Sequence, residues 1–280
     1  MQHHDGARSA NGRSAARAAE GRGRGGGTVS LLEAVDISKS FEGITALDQV
    51  SLDVEPGEIV GLIGPNGAGK TTFFNCLLGM LKPDRGSVRF DGRDLSRVPT
   101  HRRARCGIGR TFQRIELFAE MTPRDHLLVA ERVRRGDGAL WKDLLGRGRP
   151  KAEELEAVAE TIALLRLDDV ADRAIESLSL GRGRIVEVGR ALMTQPRLLL
   201  LDEPSSGLDH RETLDLVMRL REVNEQRGTA ILLVEHDVEM VRSLVSRVFV
   251  LDFGTLIASG PTDAVFAEAA VRRAYLGDLV

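Results

Sequence analysis

From Val29 onward the chain alternates apolar and polar positions in short blocks separated by turn residues. "SLLEAVDI" and "VSLDVEPGEIVGLIG" read as strands, with Pro56-Gly57 as a turn. The run Ile59–Ile63 carries no polar side chain, as expected of a parallel strand covered on both faces. "RLLLLDE" and "TAILLVEHD" repeat that pattern, and between them Glu212–Arg227 has a helical period with Leu214, Val217 and Met218 on one side. Strands alternating with helices predict an α/β parallel sheet, here preceded by an antiparallel β region. The stretch of about residues 114–180 is helical and charged, with "KAEELEAVAETIALLRL" its clearest amphipathic segment, and reads as a helical subdomain inserted into the core. "RVFVLDFGTLIASG" predicts a hairpin, followed by a C-terminal helix.

Residues 1–28 hold almost no large apolar side chains, so they cannot repay the entropy of ordering and read as a disordered tail ahead of one domain over 29–280. No hydrophobic segment follows their arginines, so they are not expected to be a secretory signal. A Gly/Arg tail for RNA is one reading of them; a translation start near Val29 is the blander one. The 280 residues are 42% apolar and 29% charged, enough for a core and a soluble surface. The formal net charge of -2 gives no global pull toward nucleic acid or an anionic membrane, and no nucleic-acid partner is expected. Cys76 and Cys106 lie outside any CxxC or His cluster, which fits a reducing cytoplasm and supports neither a zinc site nor a disulfide framework. No apolar run approaches the roughly 18 residues needed to span a bilayer.

The chemistry begins directly after the strand Ile59–Ile63. "GPNGAGKTT" runs through Gly64, Pro65, Asn66, Gly67, Ala68, Gly69, Lys70, Thr71 and Thr72 and matches G-x-x-x-x-G-K-[ST] in a strand–loop–helix context. Such glycines let backbone N–H groups wrap phosphates, and the helix start adds a favourable dipole. Lys70 is placed to reach the β and γ phosphates of a nucleotide, and the Thr71 hydroxyl to bind Mg2+. Downstream, "LLLLDEP" ends a buried strand in Asp202 and Glu203, at the sheet edge where open α/β sheets bind ligands. Asp202 suits the Mg2+ shell and Glu203 the activation of an attacking water. His236 lies just past another buried strand; a lone His is more often structural or solvated, and at this strand end the alternative is a γ-phosphate contact. "LSLGRGRIVEVGRAL" reads either as a basic loop for nucleic acid or as a helix start that holds a phosphate.

The ordered set of P-loop, "GRTFQ" ending in Gln113, "LSLGR", "LDEPSSGLD" and His236 resembles the ATP-binding subunits of ABC transporters, over Leu31 to the end of the chain. The resemblance implies a P-loop NTPase core and ATP with Mg2+ as ligands. It assigns Glu203, His236 and Gln113 to hydrolysis, with Gln113 also near the metal beside Thr71 and Asp202. It implies an aromatic that stacks on adenine, for which Phe41 is the candidate. It also implies head-to-tail pairing of two ATPase subunits, so that Ser179 and Gly181 face the ATP of the partner subunit. The family signature reads Leu-Ser-Gly-Gly-Gln, whereas here Leu180 replaces Gly and Arg182 replaces Gln. Leu180 restricts a turn that Gly leaves free; Arg182 either reaches the γ-phosphate or points to solvent.

The nearer resemblance is to branched-chain amino-acid uptake ATPases, carried by "GIGRTFQRIELFAEMTPRDHLLVA", the insertion around "GALWKDLLGRGRP" and the ending "RRAYLGDLV". It implies import, integral membrane permease subunits as partners, an extracytoplasmic solute-binding protein acting indirectly, and a peripheral position on the cytoplasmic face of the membrane. Ile115, Leu117, Phe118 and Met121 are the candidate permease contacts, or else the insertion's own core. Lipopolysaccharide-export ATPases share the "YLG" ending but have a shorter insertion. A catalytically weak coupling subunit is disfavoured because Lys70, Thr71, Gln113, Asp202, Glu203 and His236 are all present.

Overall fold

Two sheets share an apolar layer between them. The computed structural model describes residues 30–111, 117–136 and 150–276. The first sheet is antiparallel, in the order β2 (Ile44–Val54), β1 (Leu32–Phe41), β4 (Arg85–Phe90) and β5 (Arg93–Asp94). The second has six strands in the order β10 (Thr255–Pro261), β9 (Arg247–Asp252), β3 (Ile59–Ile63), β8 (Ala230–Glu235), β7 (Leu198–Asp202) and β6 (Ile108–Arg110). Its strands from β9 to β6 are parallel, and only β10 runs back against β9 as the predicted hairpin.

The period of two explains how the sheet separates two cores. Ile59, Ile63, Leu199, Leu201, Ile231, Leu233, Val248 and Val250 face one core. Their alternates Val60, Leu62, Leu198, Leu200, Leu232 and Phe249 face the other. The second core fills the space toward the antiparallel sheet and takes in helix α1 (Lys70–Leu78) through Phe73, Phe74 and Leu77. The first core takes in α3 (Pro123–Arg135), α4 (Ala152–Leu164), α5 (Leu180–Leu192) and α6 (His210–Arg227), so Leu127, Val158, Ile162 and Ile185 pack in the same cluster as the strand residues. Each such side chain, fully buried, contributes about 1.5–3 kcal/mol. The short helices α2 (Thr100–Arg105), α7 (Val238–Leu244), α8 (Thr262–Ala267) and α9 (Ala269–Leu276) complete the described elements. The tail 1–28 lies outside the described residues.

One sequence expectation is corrected. In α6 the inward stripe is Thr213, Leu216, Val217, Leu220 and Val223, while Leu214 and Met218 are 43% and 49% exposed. Leu214 and Met218 are four residues apart and share a flank beside the row that meets the core. A capping box between Asp209 and Glu212 starts this helix two residues before the predicted position.

Candidate functional site

Strand register sets the candidate site. Ile63 of β3 lies beside Glu235 of β8, and Asp202 of β7 lies beside Val234. Three parallel strands therefore end at nearly the same level, and the segments that leave them carry the P-loop, Glu203 and His236.

The P-loop conformation requires glycine at two points. At Gly64 (φ +152°) a Cβ would fall 2.2 Å from the Leu251 carbonyl oxygen, and at Gly69 (φ +101°) it would fall 2.6 Å from that of Ala46. The β9–β10 turn braces the loop: Gly254 N–H donates to Ala68 O at 2.9 Å, and Asp48 N–H donates to Gly254 O at 2.8 Å. Asn66 and Gly67 stay exposed at the tip, Pro65 is half-buried and Ala68 is buried. Helix α1 then begins on Gly69, which offers no side-chain cap, and no acidic residue occupies its first turn. Unsatisfied N–H groups and a positive dipole end meet there, which is the chemistry of a phosphate site. Thr71 is exposed and Thr72 half-buried on the first turn of α1. Lys70 is 5% exposed and folds its ammonium over the loop, donating to Gly64 O at 2.7 Å and Pro65 O at 3.0 Å. Burial lowers its pKa, against the pull of Glu203, Asp202 and Glu235.

The acidic side of the edge is similarly tuned. Burial, reinforced by the charge of Glu203, raises the Asp202 pKa, and Lys70 opposes the shift. Glu203 adopts a left-handed backbone (φ +47°), uncommon outside glycine, and its N–H donates to Val234 O at 2.9 Å. His236 Nδ1 lies 3.9 Å from Glu203 Oε1 and 3.8 Å from Glu235 Oε2, with the imidazole 54% exposed. Lys70, Asp202, Glu203 and His236 are thus brought to one edge. Glu235, fully buried beside them, was not singled out from the sequence. A carboxylate closing the otherwise apolar run "AILLVE" was the available signal.

Ser179 and Gly181 belong to a second cluster. Ser179 caps α5, its Oγ accepting from Arg182 N–H at 3.4 Å. Gly181 N–H donates to Glu212 Oε1 at 3.1 Å. Leu180 starts the helix, 42% exposed, so ordinary helical backbone accommodates it and the expected restriction of a free turn does not arise. Arg182 does not simply point to solvent, because it has partners in its own chain. Its guanidinium donates to Arg166 O at 2.8 Å and to Asp169 at 3.3 Å, tying α5 to the end of α4.

Phe41 ends β1, 43% exposed, with Lys39 Nζ 5.4 Å from its ring centroid. Gln113 lies outside the described residues, as does Ile115; Thr111 N–H donates to Leu200 O at the end of β6. Leu117 is half-buried against the first core and Met121 is half-buried. Phe118 is 70% exposed and stacks on His126, ring centroids 5.9 Å apart. Among the described residues no group of three His, Cys, Asp or Glu forms a metal site. Thr71 and Asp202 nevertheless suit Mg2+, which takes few protein ligands and shares substrate phosphates.

A glycine-bound phosphate cradle beside a carboxylate-tipped parallel sheet defines a P-loop nucleotide hydrolase. The family described as "ABC transporter" matches residues 47–206. The chain is 38% identical over 251 residues to the high-affinity branched-chain amino acid transport ATP-binding protein BraF of Pseudomonas aeruginosa, covering 89% of this chain and 98% of that one. It is 39% identical over 251 residues to LivG of Escherichia coli K12, with the same coverage. It is 37% identical to the methionine import ATP-binding protein MetN of Mesorhizobium japonicum over 85% of this chain and 62% of that one. Among solved structures, the ADP conformation of MJ1267, an ATP-binding cassette of an ABC transporter, superposes with a TM-score of 0.79 at 32% identity, over 90% of this chain and all of that one. The dimeric post-hydrolysis cassette MJ0796, bound to ADP and Pi, gives 0.67 at 25% identity over 82% and 98%. This chain belongs to the ATP-binding subunits of ABC transporters and is an ATPase.

Proposed function

We propose that this subunit hydrolyses ATP to power import of a small solute, a branched-chain amino acid or a related polar compound. The observation that carries the hydrolytic reading is the convergence of Lys70, Asp202, Glu203 and His236 at the ends of β3, β7 and β8. Likeness over nearly the full length of BraF and LivG supports the substrate class. The MetN likeness makes methionine the competing cargo.

In this reading residues 64–72 hold the phosphates and Phe41 packs on the base. Thr71, Asp202 and Gln113 would hold Mg2+, which would supply charge neutralisation at the phosphates. Glu203 orients a water and takes its proton as that water attacks the γ-phosphorus, while the bond from that phosphorus to the β,γ-bridging oxygen breaks and ADP leaves with the electron pair. His236, beside Glu203, stabilises charge on the γ-phosphate. Lys70 bonds to its own loop's carbonyls here, and it exchanges these for phosphate oxygens when ATP enters. Ser179 and Gly181 serve the ATP of a second ATPase subunit. The helical subdomain of about residues 114–180 docks on permease chains at the cytoplasmic face of the membrane. No described helix is long and apolar enough to cross it.

Uptake of labelled leucine and methionine by proteoliposomes holding this subunit with its permease tests the reading. ATP-driven leucine uptake that Glu203→Gln abolishes is the expected result. ATP-driven methionine uptake without leucine uptake overturns the substrate class, and full uptake by Glu203→Gln overturns the role of Glu203.

A further inference from the structure

A carboxylate with no solvent exposure, at the end of an apolar strand, persists only if its oxygens are satisfied. Glu235 meets that demand by bridging two loops. Its Oε1 accepts from Ser205 N–H at 2.8 Å and from Ser205 Oγ at 2.6 Å. Its Oε2 accepts from His236 N–H at 3.0 Å and Asp237 N–H at 3.3 Å. Ser205 belongs to the turn that opens with Glu203 and closes on Asp209, knitted by Ser206 N–H to Glu203 O and Leu208 N–H to Ser205 O. Asp237 caps α7. One buried side chain therefore fastens the turn carrying Glu203 to the loop carrying His236.

We propose that Glu235 is a positioning residue for ATP hydrolysis: its two oxygens hold Glu203 and His236 in fixed relation, so that both face the same γ-phosphate. The assignment rests on the hydrolytic reading of Glu203 and His236 given above. Both oxygens are needed. Glutamine keeps one acceptor and turns an NH2 toward the other loop, where it opposes either the two N–H donors of His236 and Asp237 or the N–H of Ser205, whose Oγ alone can still accept from it, so one fastening is broken or weakened while volume is conserved. Lys70 bonds to the P-loop and not to Glu235, so nucleotide binding does not depend on the bridge.

The test uses the full-length chain with Glu235→Gln, Ser205→Ala, the double variant and Glu203→Gln. ATPase kcat and KM are measured together with affinity for a fluorescent ATP analogue. Glu235→Gln is expected to lower kcat on the order of 10²-fold, since a misplacement of about 1 Å has that effect, with affinity unchanged. Ser205→Ala is expected to lower kcat less, and the double variant no further than Glu235→Gln, because the two residues act through one bridge. Parent kcat in Glu235→Gln, equal loss of affinity and kcat, or additive losses in the double variant would each overturn the proposal. If Glu235→Gln does not fold, Ser205→Ala decides: parent kcat there overturns it. Parent kcat in Glu203→Gln indicts the hydrolytic reading instead of the bridge.

Discussion

Gly181 and Glu212 are locked together: the amide of the first donates to the carboxylate of the second at 3.1 Å, and a Cβ on Gly181 would lie 2.8 Å from Glu212 Cβ. Glu212 in turn closes the capping box with Asp209. The helix that presents Ser179 is therefore seated on the helix that follows the Glu203 turn. Glycine is required at 181 by this close approach, since the residue is helical and needs no left-handed backbone.

Gly181→Ala is accordingly expected to destabilise the fold. The new methyl forces Glu212 aside and disturbs two helix starts, an overpacking effect of about 1–3 kcal/mol. Denaturant unfolding of the nucleotide-free chain measures it. Unaltered stability would show that Glu212 moves freely and that the seating is loose.

Asp202 governs a pH dependence. Its pKa is raised in the folded protein by burial and by Glu203. The folded state then holds a proton that the unfolded state has released, so this group's contribution to stability falls as pH rises from the ordinary Asp value, about 3.9, through the raised one. Asp202→Asn removes the charge and keeps the shape. The variant is expected to have a higher Tm than the parent at pH 7, with the gap closing as pH falls toward 4, while Mg2+-dependent ATPase is lost. A Tm difference that does not change with pH would exclude Asp202 as its source.

The fold was largely legible in the sequence, and the reasons are local. Period-two burial marks β3, β7 and β8, and the P-loop announces itself because its glycines, lysine and threonine are contiguous. Asp202 and Glu203 stand out because two carboxylates end an apolar run. Glu235 and Glu212 escaped because their partners, Ser205 and Gly181, lie 30 and 31 residues away, and no local period records a hydrogen bond across that distance. The bond of Arg182 to Asp169 was hidden for the same reason, since Asp169 sits 13 residues upstream. In α6, Leu214 and Met218 misled because apolar residues also occur on exposed flanks.

Phe118 offers a separate handle on docking. It is 70% exposed, so its side chain contributes little to the core, and it lies against a groove lined by Met121, His126, Val129 and Val133. Phe118→Glu is expected to leave ATP affinity and Tm close to the parent values while preventing co-purification with the permease. Loss of folding instead would place Phe118 in the packing of its own segment.

Ser179 allows the trans arrangement to be tested without touching the P-loop. The residue is exposed at the start of α5, and its hydroxyl accepts only a long bond from Arg182 N–H, 3.4 Å. The helix start also has Glu212 as a second acceptor, through Gly181, so loss of the serine cap alone costs about 1 kcal/mol or less. Ser179→Arg places a long charged side chain on the surface that, in the proposed trans arrangement, closes over the ATP of a second subunit. The isolated variant is expected to bind ATP as the parent does, because Lys70 and the 64–72 loop are built from β3, α1 and the β9–β10 turn and not from α5. The assembled complex is expected to lose most of its ATPase activity, since closure across the pair is blocked. Mixing variant and parent subunits sharpens the outcome. A pair with one Ser179→Arg chain retains one intact interface, and in that pair only the site formed by the variant's P-loop and the parent's signature keeps both halves. Full activity in the all-variant complex, or weakened ATP binding by the isolated variant, would exclude the trans role of Ser179.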